Sequence, residues 1–353
     1  MIKGLQEYGN KEFLEKIYKK DPVFICTIAT TDTSKIKGIS GAGASEELNM
    51  YTPAADVEIM SFGHPKCMSE IPETVVDGDA APTPSMLTKA SLEIGEIPLK
   101  VVDAGCEIKP ELECETFSKE HGHDIRTGKG VTNPKELYEK GLEYGKKVSK
   151  DYDYLVIGES IAAGTTTALG VLKALGYDAE FKVSGSMPEN PHQLKLDTVN
   201  EGLKNSGITP GEADCFDAIS AVGDPMIPAV AGMTIGSEVP VVLAGGTQMA
   251  AVCAVIKSLH PDFDFSNIGL ATTIFVAKDE TADFFNIMNQ IDENVSINIV
   301  DPQFETSTYG GLKNYIIGFV KEGAGAGGAM FTALMQGKTI EEVLKKIEEV
   351  CTN

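Results

Sequence analysis

The feature that most constrains the fold is a repeated pattern of an apolar, β-branched run, a glycine-containing turn and a helical stretch of small residues. Residues 154–158 (YLVIG) lead through such a turn into a helical stretch at 165–175. Residues 239–246 (VPVVLAGG) lead into a second helical stretch at 247–256. Continuous apolar strands that alternate with helices are typical of a parallel sheet with both faces covered. The sequence therefore predicts an α/β fold with a Rossmann-like, mostly parallel sheet covered by helices.

Two earlier apolar runs, at 23–28 and 99–103, are further candidate strands of this sheet. In an open parallel sheet, ligands bind beyond the carboxyl ends of the strands. Because the glycine turns follow the strands directly, we expect these turns to gather at that edge and to form the ligand site.

The two ends of the chain have a different pattern. Asn10 is a candidate N-cap for a short amphipathic helix, and Thr339 with Glu342 forms a capping-box pattern before a C-terminal amphipathic helix. We therefore predict one α/β core at 20–336, for which the motifs described below indicate nucleotide and base binding. The terminal helices, at 1–19 and 337–353, are expected either to pack together as a small helical subdomain or to cover the main sheet.

The charge of the chain limits its partners. The formal net charge is −22, which opposes nonspecific binding to nucleic acid or to anionic membranes. No apolar run reaches the roughly 18 to 20 residues that span a bilayer, and the first residues lack the pattern of a secretory signal. We therefore expect a cytoplasmic protein that binds small molecules, and neither nucleic acid nor membrane.

The seven cysteines form no CxxC pair, which is typical of reduced thiols in a cytosolic protein. One group, made of Cys106, Cys114, His121 and His123, contains residue types that bind zinc. Its spacing matches no common ligand pattern, and glutamates stand among these residues. We interpret the group as loop residues without a ligand role, and we predict no metal site.

A glycine-rich turn at 321–329 (KEGAGAGGA) precedes a small, apolar helical stretch at 330–335. Such a turn lets backbone N–H groups approach a ligand closely, although glycine and alanine also serve tight helix packing. Glu322 stands at the mouth of this turn. Desolvation there would raise the pKa of its carboxyl group and make it a better base toward a weakly acidic N–H. Glu322 is therefore the candidate catalytic base.

The segment 158–167 (GESIAAGTTT) lies between an apolar strand and a helix, and it lacks the GK[ST] of a Walker loop. We predict that its backbone amides and hydroxyls bind phosphate or ribose; hydroxyls that only cap the helix are the alternative. Since Arg126 is the only arginine of the chain, backbone N–H groups should supply most of the phosphate contacts. The predicted substrate contacts are Gly158, Glu159, Ser160, Gly164, Thr165, Thr166, Gly245, Gly246, Gly323 and Gly325.

Residues 40–52 (SGAGASEELNMYT) are a candidate pocket for an aromatic base. They combine glycine turns and hydroxyl groups, including that of Ser40, with the aromatic ring of Tyr51. Ligand pockets of this kind have apolar walls and a few placed polar groups. An ordinary surface loop is the alternative.

Several of these blocks, in this order, resemble the nicotinate-nucleotide:dimethylbenzimidazole phosphoribosyltransferase family. The segment IGESIAAGTTTALG is similar to the family's GEMGIGNTT-type strand, loop and helix. AVGDPMIPAVAGM and VPVVLAGG are similar to its VGGFEIAAMAGA and PVLLDGF blocks, and FVKEGAGAGGAM is similar to its LGEGTGAA loop. Ala244 replaces an aspartate of the family, and the family's HRSxEPGH-type segment has no counterpart. The chain, from about residue 100 onward, is therefore identified as a divergent branch.

The resemblance implies that a benzimidazole-like nitrogen attacks C1′ of nicotinate mononucleotide. Nicotinate is released, and the product is an α-riboside phosphate for cobamide (cobalamin) lower-ligand assembly. The resemblance further implies that Glu322 accepts the proton of the attacking base and that no metal or redox cofactor takes part; we also expect a homodimer. Two alternatives stay open: a non-catalytic nucleotide-binding relative, or another glycosyl- or phosphoryl-transfer enzyme on the same scaffold.

Overall fold

The computed structural model describes residues 2–43, 45–69, 74–76 and 78–352. The strands in these ranges are β1 (Leu5–Tyr8), β2 (Pro22–Ala29), β3 (Thr74–Val76), β4 (Asp79–Ala81), β5 (Leu99–Gly105), β6 (Glu115–Thr116), β7 (Tyr154–Ser160), β8 (Val241–Ala244), β9 (Ile268–Thr273) and β10 (Ser296–Val300). The helices are α1 (Phe13–Ile17), α2 (Thr52–Phe62), α3 (Pro84–Gly95), α4 (Pro134–Val148), α5 (Gly164–Ala174), α6 (His192–Ser206), α7 (Cys215–Val222), α8 (Met226–Gly236), α9 (Thr247–Leu259), α10 (Ile274–Ala277), α11 (Phe284–Ile291), α12 (Lys313–Ile316), α13 (Ala326–Met335) and α14 (Ile340–Thr352).

The main sheet has the strand order β1-β10-β9-β8-β7-β2-β5-β6 in the described part of the chain. β1 runs antiparallel to β10, and the other neighbouring strands pair in parallel. The order from β6 to β9 is that of a doubly wound sheet, in which the winding direction reverses between β2 and β7. The predicted α/β fold with a mostly parallel sheet is confirmed.

Alternate residues of the central strands supply the cores on the two faces of the sheet. On β2, Val23 and Ile25 belong to one buried cluster, whereas Phe24 and Cys26 belong to the other. This alternation explains why a strand buried on both faces is an unbroken apolar run. Helices α4–α9 and α11 cover the first face, and α2, α3, α13 and α14 cover the second. No helix in the described ranges is long and apolar enough to cross a bilayer.

Both ends of the chain pack onto the sheet layers. The first residues form β1, an edge strand that the sequence pattern did not predict, and Phe13 of α1 is fully buried. The predicted capping box is present, since Thr339 N donates to Glu342 Oε2 at 2.8 Å and Glu342 N donates to Thr339 Oγ1 at 3.2 Å. Helix α14 packs against α3. The division into a core and a separate terminal subdomain stays a prediction.

Candidate active site

A cavity lies at the carboxyl ends of the central strands, beside the point where the winding direction reverses. The segments that line it follow β7, β8 and α12, and they meet loops at 40–42 and 184–186. The two loops are joined by a hydrogen bond of 3.2 Å from Gly41 N to Ser186 Oγ. The glycine turns therefore gather where the sequence predicted. Ala44, which follows the first loop, lies outside the described residues.

Glu322 lines this cavity, and its carboxylate accepts hydrogen bonds from four donors. Oε2 accepts from Thr272 Oγ1 at 3.0 Å and from Thr273 N at 3.1 Å. Oε1 accepts from Gly327 N at 3.1 Å and from Gly323 N at 3.2 Å. Burial raises the pKa of Glu322, and these hydrogen bonds partly offset the rise because they stabilise the ionised form. The carboxylate is thus fixed in position and partly desolvated, as a general base requires.

The backbone around Glu322 holds an unusual conformation. Val320, Lys321 and Ala324 have φ values of 65°, 51° and 52°, a region that non-glycine residues rarely adopt and that is least accessible to β-branched ones. Each such residue costs about 1 to 3 kcal/mol and persists only where its surroundings enforce it. Here the enforcing contacts include Val320 N to Ser186 O at 2.8 Å and Thr273 Oγ1 to Lys321 O at 2.6 Å.

A second glutamate, Glu159, lines the same cavity at the end of β7. It is 3% exposed, and Gln248 Nε2 donates to its Oε1 at 3.3 Å. Burial raises the pKa of Glu159 to about 8, and the nearby charges of Asp224, Glu322 and Asp56 add to the rise. At neutral pH Glu159 is therefore mainly protonated, whereas the four donors on Glu322 stabilise its ionised form against the effect of burial. When their environments give two neighbouring carboxyl groups different pKa values, the two groups can have different acid–base roles.

Two buried aspartates near the cavity were not predicted from the sequence. Asp56, on α2, accepts a hydrogen bond of 2.7 Å from Ser160 Oγ, and burial raises its pKa. Asp224 accepts hydrogen bonds from the Thr167 hydroxyl and from the backbone N–H of Met226. Burial raises the pKa of Asp224 to about 6. Asp56 stands within the apolar helical run PAADV, and an acid in such a run was the available signal.

A pair of buried lysines, Lys195 and Lys321, lies near the cavity. Lys321 Nζ donates to Asp279 Oδ2 at 2.8 Å and to Met187 O at 3.2 Å, and the Lys321 side chain lines the cavity. Lys195 Nζ donates to Ser184 O at 2.8 Å. Burial and the charge of Lys321 lower the pKa of Lys195 to about 7. Asp279 therefore pairs with the charge of Lys321, and Lys195 is only partly charged near neutral pH. Sequence spacing did not reveal either lysine.

Helices α5 and α9 begin at the cavity. Gly164 and Thr165 at the start of α5, and Gly246 and Thr247 at the start of α9, are among the lining residues. The first N–H groups of a helix have no intrahelical partner, and the helix dipole adds partial positive charge there. Two converging helix N-termini therefore offer a site for an anionic group such as phosphate.

The structure brings most of the predicted site residues together and leaves others outside the lining. The predicted residues that line the cavity are Ser40, Glu159, Ser160, Gly164, Thr165, Gly246, Glu322 and Gly323. Those outside the lining are Tyr51, Gly158, Thr166, Gly245 and Gly325. Arg126 is also outside it, and its guanidinium pairs with Asp124.

Two of the glycines outside the lining, Gly158 and Gly325, have a packing role instead. A Cβ on Gly158 would lie 2.8 Å from Cζ of Phe24 and 3.2 Å from Cα of Gly325. Gly325 has φ +66°, and a Cβ there would lie 2.7 Å from the same ring carbon of Phe24. These glycines therefore let β7 and the turn before α13 approach each other. The amide of Gly323, a predicted substrate contact, already donates to Glu322, and so does the amide of Gly327.

The three threonines at the start of α5 also differ from one another. Thr165 lines the cavity. The Thr167 hydroxyl donates to Asp224, so it serves the interior of the protein. Thr166 is fully buried, and its Oγ1 has no hydrogen-bond partner among the described residues. Of these three hydroxyls, only that of Thr165 is placed to meet a ligand in the cavity.

Comparison with known proteins identifies relatives along the whole chain. Residues 89–264 match the family model described as phosphoribosyltransferase. A UPF0284 protein of Methanothermobacter thermautotrophicus is 54% identical over 99% of this chain and 98% of its own length. A UPF0284 protein of Methanopyrus kandleri is 37% identical over 99% of this chain and 94% of its own length.

The fold is similar to that of a solved structure from Thermus thermophilus. That protein is a nicotinate-nucleotide-dimethylbenzimidazole phosphoribosyltransferase, and it superposes with a TM-score of 0.60 at 14% identity. The match covers 94% of this chain and 90% of the other. At 14% sequence identity, this similarity shows a shared fold and nothing more.

Proposed function

The chain belongs to the UPF0284 family, a divergent branch of the phosphoribosyltransferases, and on that premise we propose that it transfers phosphoribosyl from nicotinate mononucleotide to a benzimidazole-like base. The product would be an α-riboside phosphate for cobamide (cobalamin) lower-ligand assembly. One observation carries the proposal: the Glu322 carboxylate, held by four donors, faces a cavity that also receives two helix N-termini.

In the proposed reaction, the lone pair of one base nitrogen attacks C1′ of the ribose while the bond from C1′ to the nicotinate nitrogen breaks. The pyridinium ring takes that bonding pair and leaves as neutral-ring nicotinate, so the leaving group needs no proton. The attacking base becomes cationic and loses its N–H proton to Glu322. Alignment of the two reactants and one general base are then the main requirements on the protein.

Glu322 suits the base role better than Glu159. A base must be ionised before it accepts a proton; burial raises the pKa of Glu322, and the four donors on its carboxylate counteract this by stabilising the ionised form. Glu159, whose pKa is raised to about 8, is mainly protonated at pH 7. A neutral Glu159 avoids repelling the anionic nucleotide and can donate a hydrogen bond to the ribose.

We assign the substrate phosphate to the N-termini of α5 and α9, near Gly164, Thr165 and Gly246. The support is that these residues line the cavity at helix starts, where backbone N–H groups favour anions. Lys321 adds positive charge at the same cavity, although Asp279 neutralises part of it. We assign the aromatic base to the side formed by Ser40, Gly41 and α2, which is closed by the contact between Gly41 and Ser186.

The direct test is a product assay with nicotinate mononucleotide and a panel of benzimidazoles, purines and phenols. We expect equal amounts of nicotinate and riboside phosphate with at least one benzimidazole. The stereochemistry at C1′ is read by NMR, and inversion from the β-nucleotide to the α-riboside is expected. Tight binding of nicotinate mononucleotide without turnover of any base would support a nucleotide-binding relative. Binding of another phosphosugar in its place would support a different transferase.

A further inference from the structure

Two histidines outside the cavity are brought together by a short piece of parallel pairing. His121 and His123 flank Gly122, which forms an isolated parallel bridge with Thr31. Gly122 N donates to Thr30 O at 2.8 Å, and Asp32 N donates to Gly122 O at 2.9 Å. In extended backbone, residues two apart point to the same side. The two imidazoles of this His-Gly-His sequence therefore lie on the same side, next to Asp32.

The third member of this cluster is Asp32. His121 Nε2 lies 3.3 Å from Asp32 Oδ1, and His123 Nδ1 lies 4.0 Å from Asp32 Oδ2. One ligand atom from each of the three residues can be chosen so that all lie within 4.8 Å of one another. The side chains are 27%, 39% and 29% exposed for His121, His123 and Asp32. The cluster is thus compact and reachable from solvent.

The surroundings of the cluster favour a divalent cation. Glu120 Oε1 lies 3.2 Å from His123 Nε2, which can fix that ring and leave Nδ1 as the free ligand atom. Glu107 Oε2 lies 3.8 Å from His121 Nε2. With neutral histidines, the three carboxylates of Asp32, Glu107 and Glu120 outnumber the ammonium of Lys35, which contacts two of them, by two charges. A divalent ion would balance this excess.

Lys35 now supplies the positive charge. Its Nζ lies 2.7 Å from Asp32 Oδ1 and 3.3 Å from Glu107 Oε2, and its side chain is 47% exposed. An exposed lysine loses little when it turns into solvent, since surface ion pairs contribute only about 0 to 1 kcal/mol. The Lys35 ammonium therefore occupies the position that a cation would take, and it can leave that position at little cost.

We propose that Asp32, His121 and His123 form a binding site for a divalent transition-metal ion such as zinc. Imidazole nitrogen and carboxylate oxygen are ligands that zinc accepts, and three protein ligands leave coordination positions for water. Along the sequence the histidines group with Cys106 and Cys114. The fold joins them to Asp32 instead, from 89 residues earlier in the chain.

The site would brace the loop that lines the cavity. Asp32 starts a short 3-10 helix, Asp32–Lys35. Asn49 Nδ2 donates to Ser34 O at 2.9 Å, and Gly43 N donates to Asn49 Oδ1 at 2.8 Å. A metal on Asp32 is therefore connected through two hydrogen bonds to the 40–43 loop. This role does not depend on which reaction the cavity performs.

The test is calorimetric titration of ZnCl₂ into the full chain after chelator treatment and dialysis. We expect one ion per chain, and a loss of affinity of at least about a hundredfold in His121→Ala and in His123→Ala, because even supporting residues contribute about 10- to 100-fold. His64→Ala is the matched control, since His64 is exposed elsewhere on the surface, and it should bind as the wild type does. Lys35→Met should bind more tightly than the wild type, because it removes the competing ammonium.

Cobalt(II) absorption then identifies the ligands. A spectrum of nitrogen and oxygen ligation that disappears in the His121→Ala, His123→Ala double variant supports the proposal. A thiolate-to-cobalt charge-transfer band would assign the ion to cysteines and overturn it. Unchanged zinc affinity in a folded double variant, or weaker binding in Lys35→Met, would overturn it as well.

Discussion

The hydroxyl of Thr272, at the end of β9, lies 3.0 Å from Oε2 of Glu322 and donates a hydrogen bond to it. This contact connects the carboxyl edge of the sheet to the turn that precedes α13. It stabilises the ionised carboxylate and fixes its direction at the same time. The ionisation and orientation of Glu322 are therefore influenced by a residue 50 positions earlier in the chain.

Replacing Thr272 by valine should shift the pH dependence of turnover. Valine keeps the shape of threonine but removes a donor to the carboxylate, so the pKa of Glu322 should rise. The acidic limb of the kcat/KM profile should then move to higher pH. Thr272→Ser, which keeps a hydroxyl, is the control and should retain a profile close to that of the wild type. If the valine variant and the wild type have the same pH profile, Thr272 does not influence the ionisation that controls turnover.

Glu159 should make the folded state less stable as pH rises. Its pKa is raised from 4.5 to about 8 on folding, so between these pH values the folded state binds more protons than the unfolded state. Stability therefore falls with pH across that window and is lowest above about pH 8. Glu159→Gln removes this dependence, and its advantage over the wild type in urea unfolding should grow from about pH 5 to about pH 8.5.

The matched control for this experiment is Glu143→Gln, which changes an exposed glutamate on α4. Its stability difference from the wild type should stay nearly constant over the same range. A Glu159→Gln curve that runs parallel to the wild-type curve would mean that Glu159 titrates normally in the folded protein.

Gly164→Val should weaken the binding of nicotinate mononucleotide more than alanine replacement of any single lysine. A Cβ at this position would lie 2.8 Å from Ile161 Cγ2 and 3.0 Å from Gln248 Nε2, and the branched side chain would extend where the phosphate is proposed to bind. Calorimetric titration of folded variants measures the effect. If Lys321→Ala alone abolishes binding and Gly164→Val binds normally, the phosphate contacts the lysine and not the helix N-termini.

Gly325→Val is a test of folding rather than of phosphate binding. Gly325 has φ +66° and packs on Phe24 and Gly158, so a valine there strains the backbone and separates buried elements. The sequence pattern predicts that this glycine contacts the ligand. Only the fold reveals that it faces another strand, because both contact partners lie far away along the chain.

The preference among aromatic bases should depend on Ser40 and not on Tyr51. Ser40 lines the cavity, whereas Tyr51 lies outside the lining. Ser40→Leu fills part of the proposed base pocket and should change the relative kcat/KM of small and large bases. Tyr51→Ala should leave the order of preference unchanged. If Tyr51→Ala changes the preference and Ser40→Leu does not, the base binds beside Tyr51, on the outer side of the 3-10 helix Leu48–Met50.

The sheet was predictable because its signals are local. A strand such as β7 is a continuous apolar run followed by glycine and a helix, and the whole pattern lies within one short segment of the chain. The C-terminal capping box was equally readable, since both of its residues are in one helical turn. The edge strand β1 was missed because the run LQEY is short and half polar.

The site was only partly predictable because its contacts join distant segments. The glycine-rich turn identified Glu322 as a candidate, but the sequence around Glu322 does not predict that Thr272 and Glu159 are its neighbours. Asp56 reaches Ser160 across 104 positions, and Lys321 reaches Asp279 across 42. These pairs arise from the order of strands in the sheet, which local patterns do not encode.

The central claim, that Glu322 is the general base of a phosphoribosyl transfer, is tested most directly by base-dependent release of nicotinate in wild type and Glu322→Gln. We predict that 5,6-dimethylbenzimidazole drives stoichiometric release by the wild type. The variant should be at least about a hundredfold slower, with nearly unchanged affinity for nicotinate mononucleotide, because general bases contribute roughly 10² to 10⁴. Near-normal turnover by the variant, or no base-dependent release by the wild type, would contradict it.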